Sequence, residues 1–331
     1  MGVSGMKVDL MSDLHLDRWW GVQMTYAPTP GADIAIVAGD LNRNPELSGQ
    51  ALQDIAASYK TVLFVDGNNE FRDPFLTDGN FNFADTEERM RLAIARANDS
   101  FDVPKIFYLK DGPFLQDGVA IIGRNGHWDY KADPRITVKE ALTQQAELVN
   151  KMLFLQGPSG SVLTSEIQAQ FAKQKLGASF SAAAAPRRST LVSLDELAGS
   201  ARQAQRDFED LRDEIVGLSA DNGVHTIVVV THTVPHVPGT ALLNFPDTAS
   251  PRVMSTMANT RLMELASEEF DSNKKVRYHL FGHQHAAKDF VIGGVRYVGN
   301  PCGNPGEMIP AGGLALYNPQ SIVFTPPGLK R

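Results

Sequence analysis

Five apolar runs in this 331-residue chain each stop at a carboxylate, an amide or an imidazole, and that shared ending constrains the fold more than any other feature. KVDLMSDLHLD stops at Asp13-Leu14-His15, ADIAIVAGD at Gly39-Asp40, and TVLFVDGNNE at Gly67-Asn68. TIVVVTHTVPH stops at Thr231-His232, and RYHLFGHQH at Gly282-His283-Gln284-His285. Short apolar runs bounded by Gly and polar residues read as buried strands. The predicted strands are Lys7–Met11, Asp33–Ala38, Thr61–Asp66, Val119–Gly123, His225–Thr231 and Val276–Phe281, with Phe290–Ile292, Val295–Val298 and Gly313–Tyr317 near the C-terminus. Helical patterns fall between them. Pro45–Tyr59 carries Leu47, Ala51, Leu52, Ile55 and Ala56 at helical spacing, Thr86–Asn98 opens on Thr-Glu-Glu, and Ser193–Leu218 is long, charged and amphipathic. Strands alternating with helices specify an α/β protein, and the C-terminal cluster of strands argues for a mixed sheet. Ligands of open α/β sheets bind at the carboxyl ends of strands, so the five endings are expected on one rim.

The chain reads as a single domain over residues 1–331 with a helical, low-complexity insertion at about 135–220. Within it, Leu176–Thr190 holds an alanine run, a proline, Arg187 and Arg188; it is either a cap over the site or a surface insertion. One cysteine, Cys302, rules out an intramolecular disulfide framework and fits a reducing compartment. Mean hydropathy is −0.19, no apolar run approaches a membrane span, and the start shows no signal-peptide block, so a cytoplasmic location is expected. A net charge of −7 disfavours a long nucleic acid or an anionic membrane as partner, but permits a small phosphorylated substrate at a local positive site. The oligomeric state is not legible.

The endings together hold two carboxylates, one amide and four imidazoles. Oxygen and imidazole donors suit manganese, iron or zinc, and the lack of a thiolate argues against a structural zinc site. Seven donors exceed the needs of one tetrahedral ion, whereas two ions sharing a carboxylate would use them all. Each ending alone has a plainer meaning: Gly-Asp and Gly-Asn as turns, Asp13 with His15 as a local hydrogen bond, His279 as a core histidine. Gly-His-x-His is harder to dismiss, since composition alone predicts about 0.02 occurrences in a chain like this.

The ordered set D-x-H, G-D, G-N, T-H, G-H-x-H, from Asp13 to His285 and on to Asn300-Pro301, resembles the calcineurin-like metallophosphoesterase superfamily. The resemblance implies a four-layer α/β/β/α sandwich, two mixed β-sheets flanked by helices, with a dinuclear metal centre on its rim. It implies one ion on Asp13, His15, Asp40 and His285, and a second on Asp40, Asn68, His232 and His283, with Asp40 bridging. Two divalent ions are implied, manganese first and iron or zinc as alternatives. The implied reaction is hydrolysis of phosphate mono- or diesters by a two-metal-activated hydroxide. A metal-containing binding or regulatory protein, or a nuclease, are the alternatives.

One position departs from the family pattern. Gly-Asn-His-Glu is replaced by Gly67-Asn68-Asn69-Glu70, so Asn69 stands where the resemblance places a general-acid histidine. An amide has no proton to give near neutral pH, and impaired turnover is expected. His127, in IIGRNGHWDY, is a candidate replacement donor or phosphate contact, or else a loop histidine beside a packed Trp128. Arg43 is a phosphate contact or a solvated loop arginine, His236 a rim residue, and Cys302 either a residue near the site or a small packing residue.

Overall fold

The structure, a computed structural model, describes residues 5–19, 24, 26–71, 82–155, 192–235, 255–303 and 320–324. The expectations for Gly313–Tyr317, Leu176–Thr190, Arg187, Arg188 and His236 lie outside the described residues.

The described residues form two large sheets and a two-stranded one. The first has the order β13-β1-β2-β3-β4, made of Gln320–Phe324, Met6–Met11, Ile34–Ala38, Thr61–Val65 and Ile106–Tyr108. Strands β1 to β4 run parallel, and β13 closes one edge antiparallel to β1. The second has the order β11-β12-β10-β7-β6-β5, made of Lys288–Ile292, Val295–Gly299, Val276–Phe281, Thr226–Thr231, Val119–Arg124 and Phe114–Gln116. Its four central strands are parallel and both edge strands antiparallel, so each sheet is mixed. The two-residue strands β8 (Val234–Pro235) and β9 (Ala258–Asn259) pair beside this second sheet.

The alternation of side chains along each strand builds the layers. Val8, Leu10, Ile34, Ile36, Leu63 and Val65 of the first sheet meet Ile121, Val228, Val230, Leu280 and Val298 of the second in one buried cluster. The residues between them, among them Val37, Val62 and Phe64, face away and pack on helices α1 (Pro45–Ser58) and α2 (Phe83–Asn98) through Leu52, Ile55, Met90 and Ile94. On the far side, Ala120, Ile122, Ile227 and Val229 pack on Phe208, Leu211 and Ile215 of helix α4 (Leu194–Ala220). The result is the four-layer α/β/β/α sandwich. Burial on both faces explains why IAIVA is apolar throughout rather than alternating. Helix α3 (Val138–Leu155) lies against the start of α4 through Ala146, Val149, Val192 and Leu197.

Local capping sets the helix starts. Asn44 accepts a hydrogen bond from the Glu46 amide ahead of Pro45, and Ser193 and Glu196 cap α4 reciprocally. Helix α2 starts three residues before the expected Thr86, because Asn82 takes the cap by accepting from the Ala84 amide at 3.0 Å.

Candidate metal centre

Every ending lies where a parallel strand stops. Asp13 and His15 follow β1, Asp40 follows β2 and Asn68 follows β3, while His232 follows β7 and His283 and His285 follow β10. Four of these turn through left-handed backbone: Asp13 (φ 53°), His15 (φ 45°), Asp40 (φ 58°) and His283 (φ 66°). Residues with a Cβ pay for that conformation, so the surrounding backbone must hold it. It does so across strands: the Asp13 amide donates to Gly39 O at 3.0 Å, His15 to Asp40 O at 2.9 Å, and Gly282 to His232 O at 3.0 Å. Gly39 itself has φ 78°, and a Cβ there would come within 2.7 Å of the Gly67 nitrogen and of His232 Nδ1. Only glycine fits.

The side chains converge in two groups. Asp13, His15 and His285 bring one donor atom each within 4.8 Å of one another, and so do Asp40, His232 and His283. Asp40 faces both groups, with Oδ1 3.3 Å from His232 Nε2 and Oδ2 3.7 Å from His15 Nε2. His15 Nε2 is 3.0 Å from His285 Nε2, and His283 Nδ1 is 3.2 Å from His232 Nε2. Asn68 joins the second group, its Oδ1 3.1 Å from His232 Nε2. All seven residues singled out in the sequence are thus neighbours in space. Each group draws on both sheets.

Outer hydrogen bonds aim the rings. His232 Nδ1 faces the Ala38 carbonyl at 2.9 Å, which makes it the protonated nitrogen and turns the Nε2 lone pair inward. His283 Nε2 faces the Thr256 carbonyl at 3.0 Å, which leaves its Nδ1 for the centre, and Trp128 stacks on the same ring. The Asp13 carboxylate also accepts the His283 amide at 3.0 Å.

The electrostatics suit cation binding. Burial pushes His15 and His283 down to about 3, so both stay neutral with a lone pair available. Burial would raise Asp13, but the hydrogen bond with His285 and the His232 and His15 rings hold it well below the usual carboxylate range. Asp40 is raised by burial and by the Asp13 charge beside it. His232 is raised, because Asp40 and Asp13 outweigh the desolvation of its ring. Two buried carboxylates compete for one neighbourhood that lacks a full counter-charge, and a divalent cation would supply it. Oxygen and imidazole donors without sulfur fit two such ions.

Three acids that hold the site or the loop beside it were not singled out in the sequence. The Glu70 carboxylate is fully buried and gathers the amides of Leu41 (2.7 Å), Gly67 (2.8 Å), Asp40 (3.2 Å) and Asn42 (3.3 Å) together with the Ser48 hydroxyl (3.1 Å). Burial and the Asp40 charge push it up to about 7 despite those donors. Asp17 accepts from Asn69 Nδ2 at 3.1 Å and pairs with Arg43 Nε at 2.8 Å. Asp207, on α4, reaches His127. Only Glu70, adjoining the Gly-Asn ending, carried a local signal; nothing in the sequence around Asp17 or Asp207 sets them apart.

Asn69 lies against the centre, its amide N–H donating to Asp40 Oδ1 at 2.7 Å. His127 is buried beside Phe71 and Phe83 and, among the described residues, makes no hydrogen bond to either donor group. Arg43 is half-exposed and held by Asp17. Cys302 is buried in the packing of the first sheet, and burial with the Asp13 charge pushes its thiol up to about 12.

The family model for calcineurin-like phosphoesterases matches residues 6–287. The chain belongs to that family. Its members are phosphoesterases, so a metal-dependent phosphoester hydrolase is the class to which the donor groups belong. Among solved structures, a phosphopantetheinyl hydrolase from Mycobacterium tuberculosis is similar at 15% identity, over 99% of each chain, with a TM-score of 0.60. A dimetal phosphatase from Danio rerio is similar at 15% identity, over 89% of this chain and 87% of that one, with a TM-score of 0.41. No curated protein sequence matches significantly.

Proposed function

We propose that the chain hydrolyses small phosphate mono- or diesters at two divalent ions. Asp13, His15, Asp40 and His285 hold one ion and Asp40, Asn68, His232 and His283 the other, with Asp40 shared. The observation that carries this reading is that both groups meet at Asp40, whose two oxygens face opposite partners. Bound ions would supply an activated water near neutral pH and would take up charge on the phosphoryl oxygens. The chain's own residues place and shield the reacting groups. His232 and His283 are locked from outside, Glu70 ties the Gly39 and Gly67 turns together, and the half-exposed Arg43 stands ready for a phosphate oxygen. Manganese is the expected metal, with iron or zinc as alternatives.

The net charge of −7 supports a small substrate over a long nucleic acid, and hence an esterase over a nuclease. Among the described residues no helix is long and apolar enough to cross a membrane. The single cysteine supports a reducing, cytoplasmic setting. Residues 1–331 are read as one domain, which is supported by the way α4, within the 135–220 insertion, packs on the second sheet.

Asn69 favours a second reading. Its side chain is spent on Asp17 and has no proton to transfer, so position 69 does not protonate a leaving oxygen. A protein that binds phosphoesters without turning them over would tolerate this.

Metal analysis of manganese-loaded protein should approach two ions per chain, and Asp40→Asn should lower the content of both sites; a value near zero overturns the metal centre. The loaded protein should then hydrolyse members of a panel of nitrophenyl, alkyl and phosphopantetheine-bearing phosphoesters, the last taken from the activity of the M. tuberculosis neighbour. With two ions bound, no turnover of any ester by either the wild type or Asn69→His would favour binding alone.

A further inference from the structure

Behind the donor groups lies a buried pair that the reading above does not use. The loop after β6 carries His127, whose backbone lies at φ 25°, and the same loop touches the centre on both sides of it. Before it, the Asn125 carbonyl accepts the His232 amide at 2.9 Å; after it, Trp128 stacks on His283 with ring centroids 5.6 Å apart. His127 is only 2% exposed, no more hidden than Asp40 at 2% or His232 at 0%.

Its ring is anchored at one nitrogen and free at the other. Nδ1 lies 3.0 Å from Asp207 Oδ2. A carboxylate only accepts, so Nδ1 carries the proton there. Asp207 is itself locked in place: Oδ2 accepts the Gly126 amide at 2.9 Å, while Oδ1 accepts Gln203 Nε2 at 3.0 Å and Lys110 Nζ at 3.3 Å. Lys110 is shared with Glu87, at 2.8 Å. Burial would raise Asp207, but Lys110 and His127 hold it well below the usual carboxylate range. The far nitrogen, Nε2, is buried without a hydrogen-bond partner, and Phe71 and Phe83 make T-shaped contacts with the ring. Phe71 follows Asn69-Glu70 directly, so this wall borders the position where the family pattern is broken.

We propose that His127, positioned by Asp207, is the proton donor that Asn69 is not. The inference rests on the phosphoesterase reading and deepens it, because it makes alkyl phosphoesters substrates. As a water oxygen bonds to phosphorus and the phosphorus–alkoxide bond breaks, the proton on Nε2 passes to the departing oxygen, which leaves as an alcohol. His127 is left neutral and regains a proton from the one the water has lost. Asp207 stays ionised throughout and keeps the ring in register. The buried, strained, carboxylate-anchored imidazole with one unspent nitrogen is an arrangement that packing alone does not call for.

The test compares kcat/KM for an alkyl and an aryl phosphoester in manganese-loaded wild type, His127→Gln and Asp207→Asn. An aryl oxide leaves without help; an alkoxide needs the proton. His127→Gln should therefore lower alkyl turnover by ~10²-fold and aryl turnover far less, with two ions still bound. Asp207→Asn, which removes the acceptor that holds the ring, should also lower alkyl turnover more than aryl turnover. Nitrogen NMR of the wild type, without substrate, should show the His127 Nδ1 proton held in a hydrogen bond to a carboxylate, a readout that needs no variant to fold. Equal losses on both esters, no loss on either, or an Nδ1 that carries no proton would each overturn the dyad alone. A wild type that carries two ions yet turns over neither ester would overturn the phosphoesterase reading and the dyad with it.

Discussion

Glu70 holds three turns with one side chain. Its oxygens accept amides from the Gly39-Asp40 turn, from the Gly67 turn and from the approach to α1, and no water-exposed conformation offers the same set. Glu70→Ala would strand several buried N–H groups at about 1–3 kcal/mol each, less what the turns recover by moving. We expect a loss of at least ~3 kcal/mol in denaturant unfolding and a fall in manganese content, since Asp40 rides on the same turn. A variant with wild-type stability and full metal content would show the turns to be held otherwise. Gly39→Ala should be comparably harmful, because φ 78° and contacts at 2.7 Å leave no room for a methyl group. Thermal melting compared with a surface Gly217→Ala, where nothing lies within 4 Å of the added Cβ, checks this.

Among the elements, strand β10 carries a histidine with no role at the centre. His279 is buried, its Nε2 is 3.0 Å from Thr231 Oγ1, and its ring stacks on Tyr297. Burial lowers it from 6.5 to about 3. The unfolded chain therefore binds a proton between about pH 6.5 and 3 that the folded chain refuses, so this residue's contribution to stability is intact above pH 6.5 and is lost as pH falls. Between pH 8 and 5, chemical unfolding should weaken more steeply for the wild type than for His279→Gln; parallel curves would show that the ring is charged or exposed in the folded state. Helix α4 gives a second expectation. Ser193 accepts the Glu196 amide while the Glu196 carboxylate accepts the Ser193 amide at 2.8 Å. Ser193→Ala should cost about 1 kcal/mol and loosen only the first turn, because Phe208, Leu211 and Ile215 pin the rest to the second sheet. Amide hydrogen exchange confined to residues near 194–198 would show this.

For the whole molecule, the donor groups act as a clasp. The first takes Asp13 and His15 from one sheet and His285 from the other, and the second takes Asp40 from one and His232 and His283 from the other. Ions bound there stabilise the folded state by mass action, about 2.7 kcal/mol at a hundredfold excess over Kd. They also relieve the repulsion between buried Asp13 and Asp40. Removing them with chelator should lower Tm by several degrees, and manganese should restore it. An unchanged melting curve after verified metal removal would mean that the sheets hold together without the clasp.

Much of this was legible in the chain itself. The largely apolar runs identified the inner strands, since a strand buried on both faces shows little alternation, and Asp13, His15, Asp40, Asn68, His232, His283 and His285 were marked by standing where those runs stop. The edge strands were harder. β4 and β5 are three residues long, too short for a period to show, and β13 lies in QSIVF, beside an expected strand at Gly313–Tyr317 that falls outside the described residues. The tertiary structure alone decided which distant acids meet Asn69 and His127. Asp17 sits 52 residues from Asn69 and Asp207 sits 80 from His127. A lone carboxylate on an amphipathic helix carries no local sign of its partner: periodicity reports which face is buried, whereas a hydrogen bond between two elements depends on how the layers stack.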